Sequence, residues 1–508
     1  MQIAIDFEDM KWVALAPELI LLFVALSILL MGLSKTLNTN KFLSKVSLAG
    51  VAAALAASFV LWDLSPSAGN GGNPEIFGRA LLHDHFSQSF NILFLAMSLF
   101  PILSSFRYPG PNHENKAEYF SLVLMTVVGM MFLAGAGNMI TAFVALEMFS
   151  FSLYILCGFS AKHGTGREGP DDIKELDWEC RSSQESAIKY FLTGAFASAI
   201  LVYGMALIYA GTGTTELRLI GQLINENPYS KNLLVYVGMG LLFSGMAFKI
   251  SLAPFHAWTP DVYHGAPTPI TAFMSVATKA AAFAFIARVF YVSLSEMQEV
   301  WFPFLFGISA LTMLVGNTAA IFQNNMKRML AYSGVAHAGY FLIGIVTNTG
   351  DGIAGILFYM GAYLFMNVGA FAVIYILEGE GEGAGSIDRF KGLGKRNPLL
   401  AATMSLFMIS LAGFPPTAGF FGKLYLFVAA IKQGYALIAI LAVTASMIAV
   451  YFYLRVVALM YFHEGEEEGT VQVNRGMGSL VAVSSLAIIL IGIYPSQFMR
   501  LALDSIPF

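Results

Sequence analysis

Charge is scarce in this sequence. Of 508 residues only 12% are Asp, Glu, Lys or Arg, while 57% are hydrophobic and the mean hydropathy is +0.69. A chain with so little polar surface cannot make soluble domains and belongs in lipid. Cysteine is scarcer still. Cys157 and Cys180 have no CxxC pair and no partner at metal-ligand spacing, so neither an iron–sulfur nor a zinc site is expected in the chain. There is no Walker A sequence and no GxGxxG between a strand and a helix, which leaves nothing to cradle a nucleotide. The opening MQIAIDFEDMK is acidic where a signal peptide is basic, so the first apolar run is expected to stay as a helix.

Long apolar runs are abundant. A helix needs about 20 residues to cross roughly 30 Å of hydrocarbon. Such runs fall at 13–33, 42–62, 86–105, 119–137, 139–160, 186–211, 232–256, 268–291, 300–322, 329–348, 351–377, 399–429, 434–462 and 478–499, which makes about fourteen. The chain is therefore read as an all-α polytopic membrane protein. Loops after odd-numbered helices hold sixteen Lys and Arg, and the other side, termini included, holds six. By the positive-inside rule both termini face away from the cytoplasm. The longer loops, 106–118, 161–185, 378–398 and 463–477, all fall on the side assigned to the cytoplasm. Their acidic runs EGEGEGAG at 378–385 and EGEEEG at 464–469 read as solvated loops rather than cation sites.

Two runs carry proline where a straight helix should continue: 232–256 with its extension LAPFHAWTPD, and 399–429 with LAGFPPTAGFFGK. Proline removes a backbone donor and clashes with the preceding turn, so inside a bilayer the freed carbonyls need neighbours or water. The breaks fall in helices 7 and 12, five helices apart. That spacing suggests one five-helix unit used twice, helices 4–8 and 9–13, and an odd-numbered unit inserts upside down the second time. The expected divisions are 1–112 for helices 1–3, 113–295 and 296–465 for the two repeats, and 466–508 for helix 14. The match is imperfect, since Lys249 precedes Pro254 by five residues whereas Lys423 follows Pro416 by seven.

Ionisable groups near span centres are Glu147, Lys249, Lys279, His337 and Lys423. A charge at mid-helix costs about 2.5–3.5 kcal/mol on insertion scales, so four facing lipid would cost on the order of 10 kcal/mol. They must face the interior. A neutral Glu147–Lys249 pair that merely holds helices together accounts for those two, but one carboxylate cannot neutralise three lysines. Desolvation favours the neutral amine of any lysine and a nearby carboxylate favours the ammonium, so separating such a pair releases a proton. On this reading the pair gates, Lys279 and His337 relay, and Lys423 delivers to the far side. Lone histidines on apolar helices are commonly satisfied core residues, and only the place of His337 between Lys279 and Lys423 argues otherwise. His256, His264 and Lys189 are weaker candidates. Arg288, Arg455 and Glu18 lie near span ends and are expected to snorkel to the interface.

Several stretches carry a resemblance: NMITAFVALEMFSFSLYILCGFSA at 138–161, SAIKYFLTGAFASAILVYGMALIYAGTG at 186–213, FKISLAPFHAWTPDVYHGAPTPITAFMSVATKAA at 248–281, NMKRMLAYSGVAHAGYFLIG at 325–344 and LAGFPPTAGFFGKLYLF at 411–427. The sequence resembles the antiporter-like membrane subunits of respiratory complex I, which are related to multisubunit sodium/proton antiporters. The resemblance implies fourteen helices, two inverted repeats, and a proton path on Glu147, Lys249, Lys279 and Lys423, supported by His337 and Lys189. It implies no cofactor or metal in this chain, with NADH, FMN, iron–sulfur clusters and quinone in partner subunits. The implied partners are other membrane subunits, including antiporter-like neighbours, and the lipid bilayer, with no nucleic acid; the implied location is a bacterial inner membrane. The segment 161–184 exceeds the family's usual loop, and contact with a neighbouring subunit is one use for it. A cation/proton antiporter subunit and a structural module whose charges only hold helices together remain as alternatives.

Overall fold

The computed structural model describes residues 11–65, 74–106, 116–159, 170–226, 232–378, 385–465, 471 and 473–506; the side chains of 170–180 lie outside the description. The acidic runs after Glu378 and Gly465 fall mostly outside the described residues.

Helices α1 (Ala16–Gly32), α2 (Asn40–Leu64), α3 (His85–Leu103), α4 (Lys116–Ala134), α5 (Met139–Cys157) and α6 (Pro170–Thr212) make the first six crossings. A short hairpin, β1 (Glu75–Ile76) with β2 (Leu81–Leu82), precedes α3, and a ten-residue helix, α7 (Leu217–Glu226), follows α6. The seventh crossing is broken into α8 (Leu233–Lys249) and α9 (Trp258–Gly265). Next come α10 (Thr268–Arg288), α11 (Gln298–Ile321), α12 (Met326–Val346) and α13 (Gly350–Glu378), then the one-turn α14 (Leu393–Arg396). The twelfth crossing is again broken, into α15 (Pro398–Ala412) and α16 (Ala418–Lys432). It is followed by α17 (Ala436–Phe462), α18 (Arg475–Ile493) and the short α19 (Pro495–Asp504). Among the described residues twelve helices are long and apolar enough to span by themselves, and the two broken ones bring the crossings to fourteen. The expected loop at 161–185 is corrected: from Pro170 on the chain is already helical, as an extension of α6.

The second helix of each five-helix unit starts in the same way. Asn138 caps α5 by accepting from Thr141 N at 2.8 Å, and Asn325 caps α12 by accepting from Lys327 N at 3.0 Å and Arg328 N at 3.2 Å. Each cap is stitched by backbone bonds to the loop two helices later. Met139 N donates to Thr215 O and Leu217 N to Gly137 O; Met326 N donates to Gly385 O and Ile387 N to Asn324 O. These bonds satisfy peptide groups at helix ends that hydrocarbon could not.

Burial sorts the helices. α10, α12 and α13 are buried along all or nearly all their length, whereas α1, α2, α6, α17 and α18 are buried along only a third to two-fifths. The most enclosed helices carry Lys279, His337 and the tyrosines around them, so those charges are shielded from lipid by protein.

Two sequence expectations fail at the periphery. Arg288 does not snorkel: it is 1% exposed and forks onto Asp84, 2.8 and 2.9 Å to the two carboxylate oxygens, while its Nε donates to Ala134 O at 2.7 Å. Asp84 is also the N-cap of α3 and takes Ser87 N at 2.8 Å, so one carboxylate fixes the hairpin exit, the start of α3 and the end of α10. A planar guanidinium matched to a carboxylate gains more from pairing inside than from reaching water. Glu18 likewise stays inside, 5% exposed and accepting from Asn91 Nδ2 at 3.0 Å. Arg455 is half-buried and binds Ile321 O, Gln323 O and Asn324 Oδ1 at the end of α11.

Burial tends to raise the Asp84 carboxyl, but the Arg288 guanidinium and the Ser87 bonds outweigh it and hold the group below the ordinary carboxylate range. A carboxyl that binds its proton more weakly when folded adds stability fully present at neutral pH and lost as pH falls below that range. Arg288→Met, which strands Asp84, is expected to destabilise by about 3–5 kcal/mol. Asp84→Leu combined with Arg288→Met is expected to recover most of that loss in heat denaturation of the solubilised protein, and equal losses for the two variants would refute this account.

Candidate functional site along the buried lysines

Lys249 closes α8 and is 2% exposed. Its ammonium donates to Ser150 Oγ at 2.8 Å and Tyr154 OH at 3.2 Å, both on α5. Glu147 lies one turn before Ser150, half-buried, and accepts from Ser198 Oγ of α6 at 2.6 Å. The expected Glu147–Lys249 ion pair is therefore corrected to two charges on neighbouring helices, α5 and α8, each held by a hydroxyl. Serine and tyrosine take the ammonium because positions three and seven residues after Glu147 face the same way.

The break after Lys249 is satisfied from within. Trp258 Nε1 donates to Phe248 O at 3.1 Å, Thr259 Oγ1 to Ser251 Oγ at 2.8 Å, and Ala253 N to Thr312 Oγ1 of α11 at 3.0 Å. That last bond ties the first unit's broken helix to the second unit.

Lys279, on the wholly buried α10, donates to Tyr263 OH at 3.4 Å and to Ser275 O at 3.3 Å. Between its surroundings and those of Lys249 runs a layer of rings, Tyr154 against Tyr190 and Tyr190 stacked on Trp258, each with centroids 4.7 Å apart. Counting from the Asn caps, the position of Glu147 in the first unit is Gly334 in the second. A Cβ added at Gly334 would lie 3.1 Å from Lys279 Nζ and 3.1 Å from Tyr363 OH. The second unit thus has no carboxylate there, and the lysine of the first unit fills the space left open. Tyr363 OH has no hydrogen-bond partner among the described residues.

His337, on α12, is 2% exposed and joins two tyrosines: Nδ1 meets Tyr359 OH at 2.7 Å and Nε2 meets Tyr453 OH at 3.2 Å. Its ring is 4.8 Å from that of Tyr363. Lys423, on α16, reaches back to the end of α15, donating to Leu411 O at 3.1 Å, Ala412 O at 3.0 Å and Ser446 Oγ at 2.8 Å. Its ammonium also lies 5.0 Å from the centre of the Tyr340 ring. This explains the unequal spacing from proline: Lys249 ends the first half of its broken helix, whereas Lys423 begins the second half of its own and caps the negative end of the first. A side chain at Gly413 would lie 3.1 Å from Lys423 Cδ, and its φ of 92° is one that glycine adopts freely.

The weaker candidates separate from this line. Lys189 is half-buried and salt-bridged to Glu185 at 2.6 Å and Asp261 at 2.9 Å. Asp261, on α9, also pairs with Arg328 of α12 at 2.8 Å. Lys189 therefore clamps α9 at the rim and does not continue the buried row. His256 is half-buried with its Nδ1 unpaired, and His264 is half-buried on α9 near the same rim. Sequence reading missed Ser150, Tyr154, Tyr263, Tyr359, Tyr453 and Ser446. For Ser150 and Tyr154 the available signal was a hydroxyl one and two turns after Glu147 in an apolar helix; the others come from separate helices and carry no such signal.

Residues 176–449 match the family described as NADH:quinone oxidoreductase/Mrp antiporter, transmembrane. The NADH-quinone oxidoreductase subunit N of Trichlorobacter lovleyi is 41% identical over 501 residues, which cover 98% of this chain and 98% of that one. The chain belongs to the subunit N branch of this family. A chain of respiratory complex I from Thermus thermophilus with bound aureothin superposes with a TM-score of 0.76 at 30% identity, covering 95% of this chain and 98% of its own length. A chain of the Mrp complex from Dietzia sp. DQ12-45-1b gives a TM-score of 0.79 at 20% identity, covering 98% and 97%, a likeness of fold alone. Subunit N relatives thus match this chain from end to end, the first three helices and the last included.

Gly334→Ala places a methyl group against the Lys279 ammonium. Vesicles containing this variant are expected to move protons more slowly, by up to about tenfold, which corresponds to ~1.4 kcal/mol on the barrier. The amount of chain in the membrane should be unchanged, and an unchanged proton rate would show that the ammonium's position is unimportant.

Proposed function

We propose that this chain is a proton-translocating membrane subunit of an NADH–quinone oxidoreductase in the inner membrane of a bacterium, with both termini on the non-cytoplasmic side. The observation that carries the reading is the row Lys249, Lys279, His337 and Lys423, each buried and each held by hydroxyl or carbonyl groups rather than by a carboxylate. A structural lysine is satisfied by an ion pair, as Arg288 is by Asp84. An ammonium held only by neutral acceptors can lose its proton without leaving a stranded counter-charge.

In this reading Glu147 biases Lys249 through the shared face of α5, and a change in their separation releases or captures the proton. Lys279 exchanges with His337 across the free Tyr363 hydroxyl, and His337 passes it by Tyr359 or Tyr453 towards Lys423. The ring layer between Lys249 and Lys279 offers no donor–acceptor chain, so that step uses water. Pushing a charge against roughly 150 mV takes about 3.5 kcal/mol. The chain's own residues supply acid–base steps only; NADH oxidation, with flavin, iron–sulfur clusters and quinone, belongs to partner subunits. Antiporter-like neighbours are the partners proposed for the exposed apolar faces.

The test starts from tagged chain isolated from its native membrane with whatever accompanies it. A many-subunit assembly that oxidises NADH is expected, and a small assembly exchanging sodium for protons without NADH would favour the antiporter reading. In vesicles of that assembly, Lys249→Met and Lys423→Met should each lower protons moved per NADH at least severalfold. Parent-level pumping by both variants would reduce the charges to a structural role.

A further inference from the structure

A second buried polar cluster lies outside the two repeats, where α1 and α3 meet the hairpin. A small enclosed cavity there is lined by Glu18, His83, Ser87, Gln88 and Asn91, with apolar walls from both sides of the hairpin and from α4. Glu18 is 5% exposed, and Gln88 and Asn91 are 1% exposed each. Three oxygens of these residues, Glu18 Oε2, Gln88 Oε1 and Asn91 Oδ1, are buried without a hydrogen-bond partner among the described residues. Their other polar atoms are occupied: Asn91 Nδ2 donates to Glu18 Oε1 at 3.0 Å, and Gln88 Nε2 bonds His83 Nδ1 at 3.1 Å. His83 is anchored in turn through Nε2 to Ser65 Oγ at 2.9 Å.

Three orphan acceptors and no donor cannot persist in a buried site, since each unmet acceptor costs about 1–3 kcal/mol. Among the described residues no cation forms a salt bridge with Glu18, so an ionised carboxylate would also stand unpaired. The cavity offers about 10 Å³ to the centre of a water-sized sphere, roughly the room for one water. With Glu18 ionised, one water brings two hydrogens for three acceptors and leaves a bare charge. With Glu18 protonated, its O–H donates to the water and the water donates to Gln88 and Asn91, and the count closes.

We propose that this cavity is a proton-binding site, in which Glu18 holds a proton as its neutral acid and one water links it to Gln88 and Asn91. The titratable side chain in the cavity wall is His83. Beyond Ser87 lies Asp84, neutralised by Arg288; Lys11 precedes α1; and Asp63, exposed on α2, points outward. The site joins α1 to α3 beside the Asp84–Arg288 clamp, so loss of its proton would load a charge onto the contact that holds helices 1–3 against α10.

The test uses the complex containing this chain. Glu18→Gln keeps the shape without the charge. A group that stays protonated in the folded chain but ionises in the unfolded one costs stability increasingly as pH rises. The variant is therefore expected to be at least as heat-stable as the parent at neutral pH, with a midpoint advantage that widens as pH rises for as long as Glu18 keeps its proton in the folded chain. The infrared band of a protonated carboxylic acid, shifted in D2O, should be present in the parent and lost from the variant. An unchanged acid band with lower stability at neutral pH would mean that Glu18 is ionised and would overturn the proposal. So would stabilisation of the parent, but not the variant, by added sodium, which would mark a metal cation. If the variant fails to assemble, a high-resolution map of the parent decides: one water within hydrogen-bond distance of the three oxygens supports the site, and an empty cavity or a metal refutes it.

Discussion

Hydrocarbon offers no hydrogen bonds, and the whole architecture follows from meeting that demand internally. Unbroken helices meet it with their own backbone. The two crossings that are interrupted meet it with side chains: Trp258 and Thr312 cover the first break, and the Lys423 ammonium with Ser446 covers the second. A lysine placed on carbonyls at a helix end satisfies backbone and ammonium together. The same bond therefore permits the break and positions the lysine proposed to exchange protons.

Two kinds of buried charge follow from this economy. Arg288 with Asp84 is closed and bidentate, tying the outer three helices to the first repeat. Lys249, Lys279 and Lys423 are open, held by hydroxyls and carbonyls that tolerate either protonation state. The contrast between a paired and a neutrally solvated cation distinguishes a brace from a relay more sharply than burial does, because all four are nearly inaccessible. The repeats diverge in the same terms. Gly334 stands where the first unit has Glu147, and the vacated space is used by Lys279, so the two units are joined at their active parts instead of working as separate copies.

The sequence by itself determined the fourteen crossings, the location of both breaks and the central ionisable groups, because the cost of exposing polar groups to lipid leaves a strong mark on composition along the chain. The family was legible too, in stretches around those groups. Tertiary structure alone decided which charges are partners. Asp84 and Arg288 are 204 residues apart and meet only because α3 packs on α10, so Arg288 alone read as a residue near a span end and Asp84 drew no reading. Glu147 and Lys249 looked like a pair by elimination, but hydroxyls on α5 intervene. Lys189, a weaker candidate near the start of the sixth helix, is paired with Glu185 and Asp261 instead of joining the buried row. The tyrosines that surround His337 come from α13 and α17, and no spacing in the sequence relates them; only packing brings hydroxyls from separate helices to one imidazole.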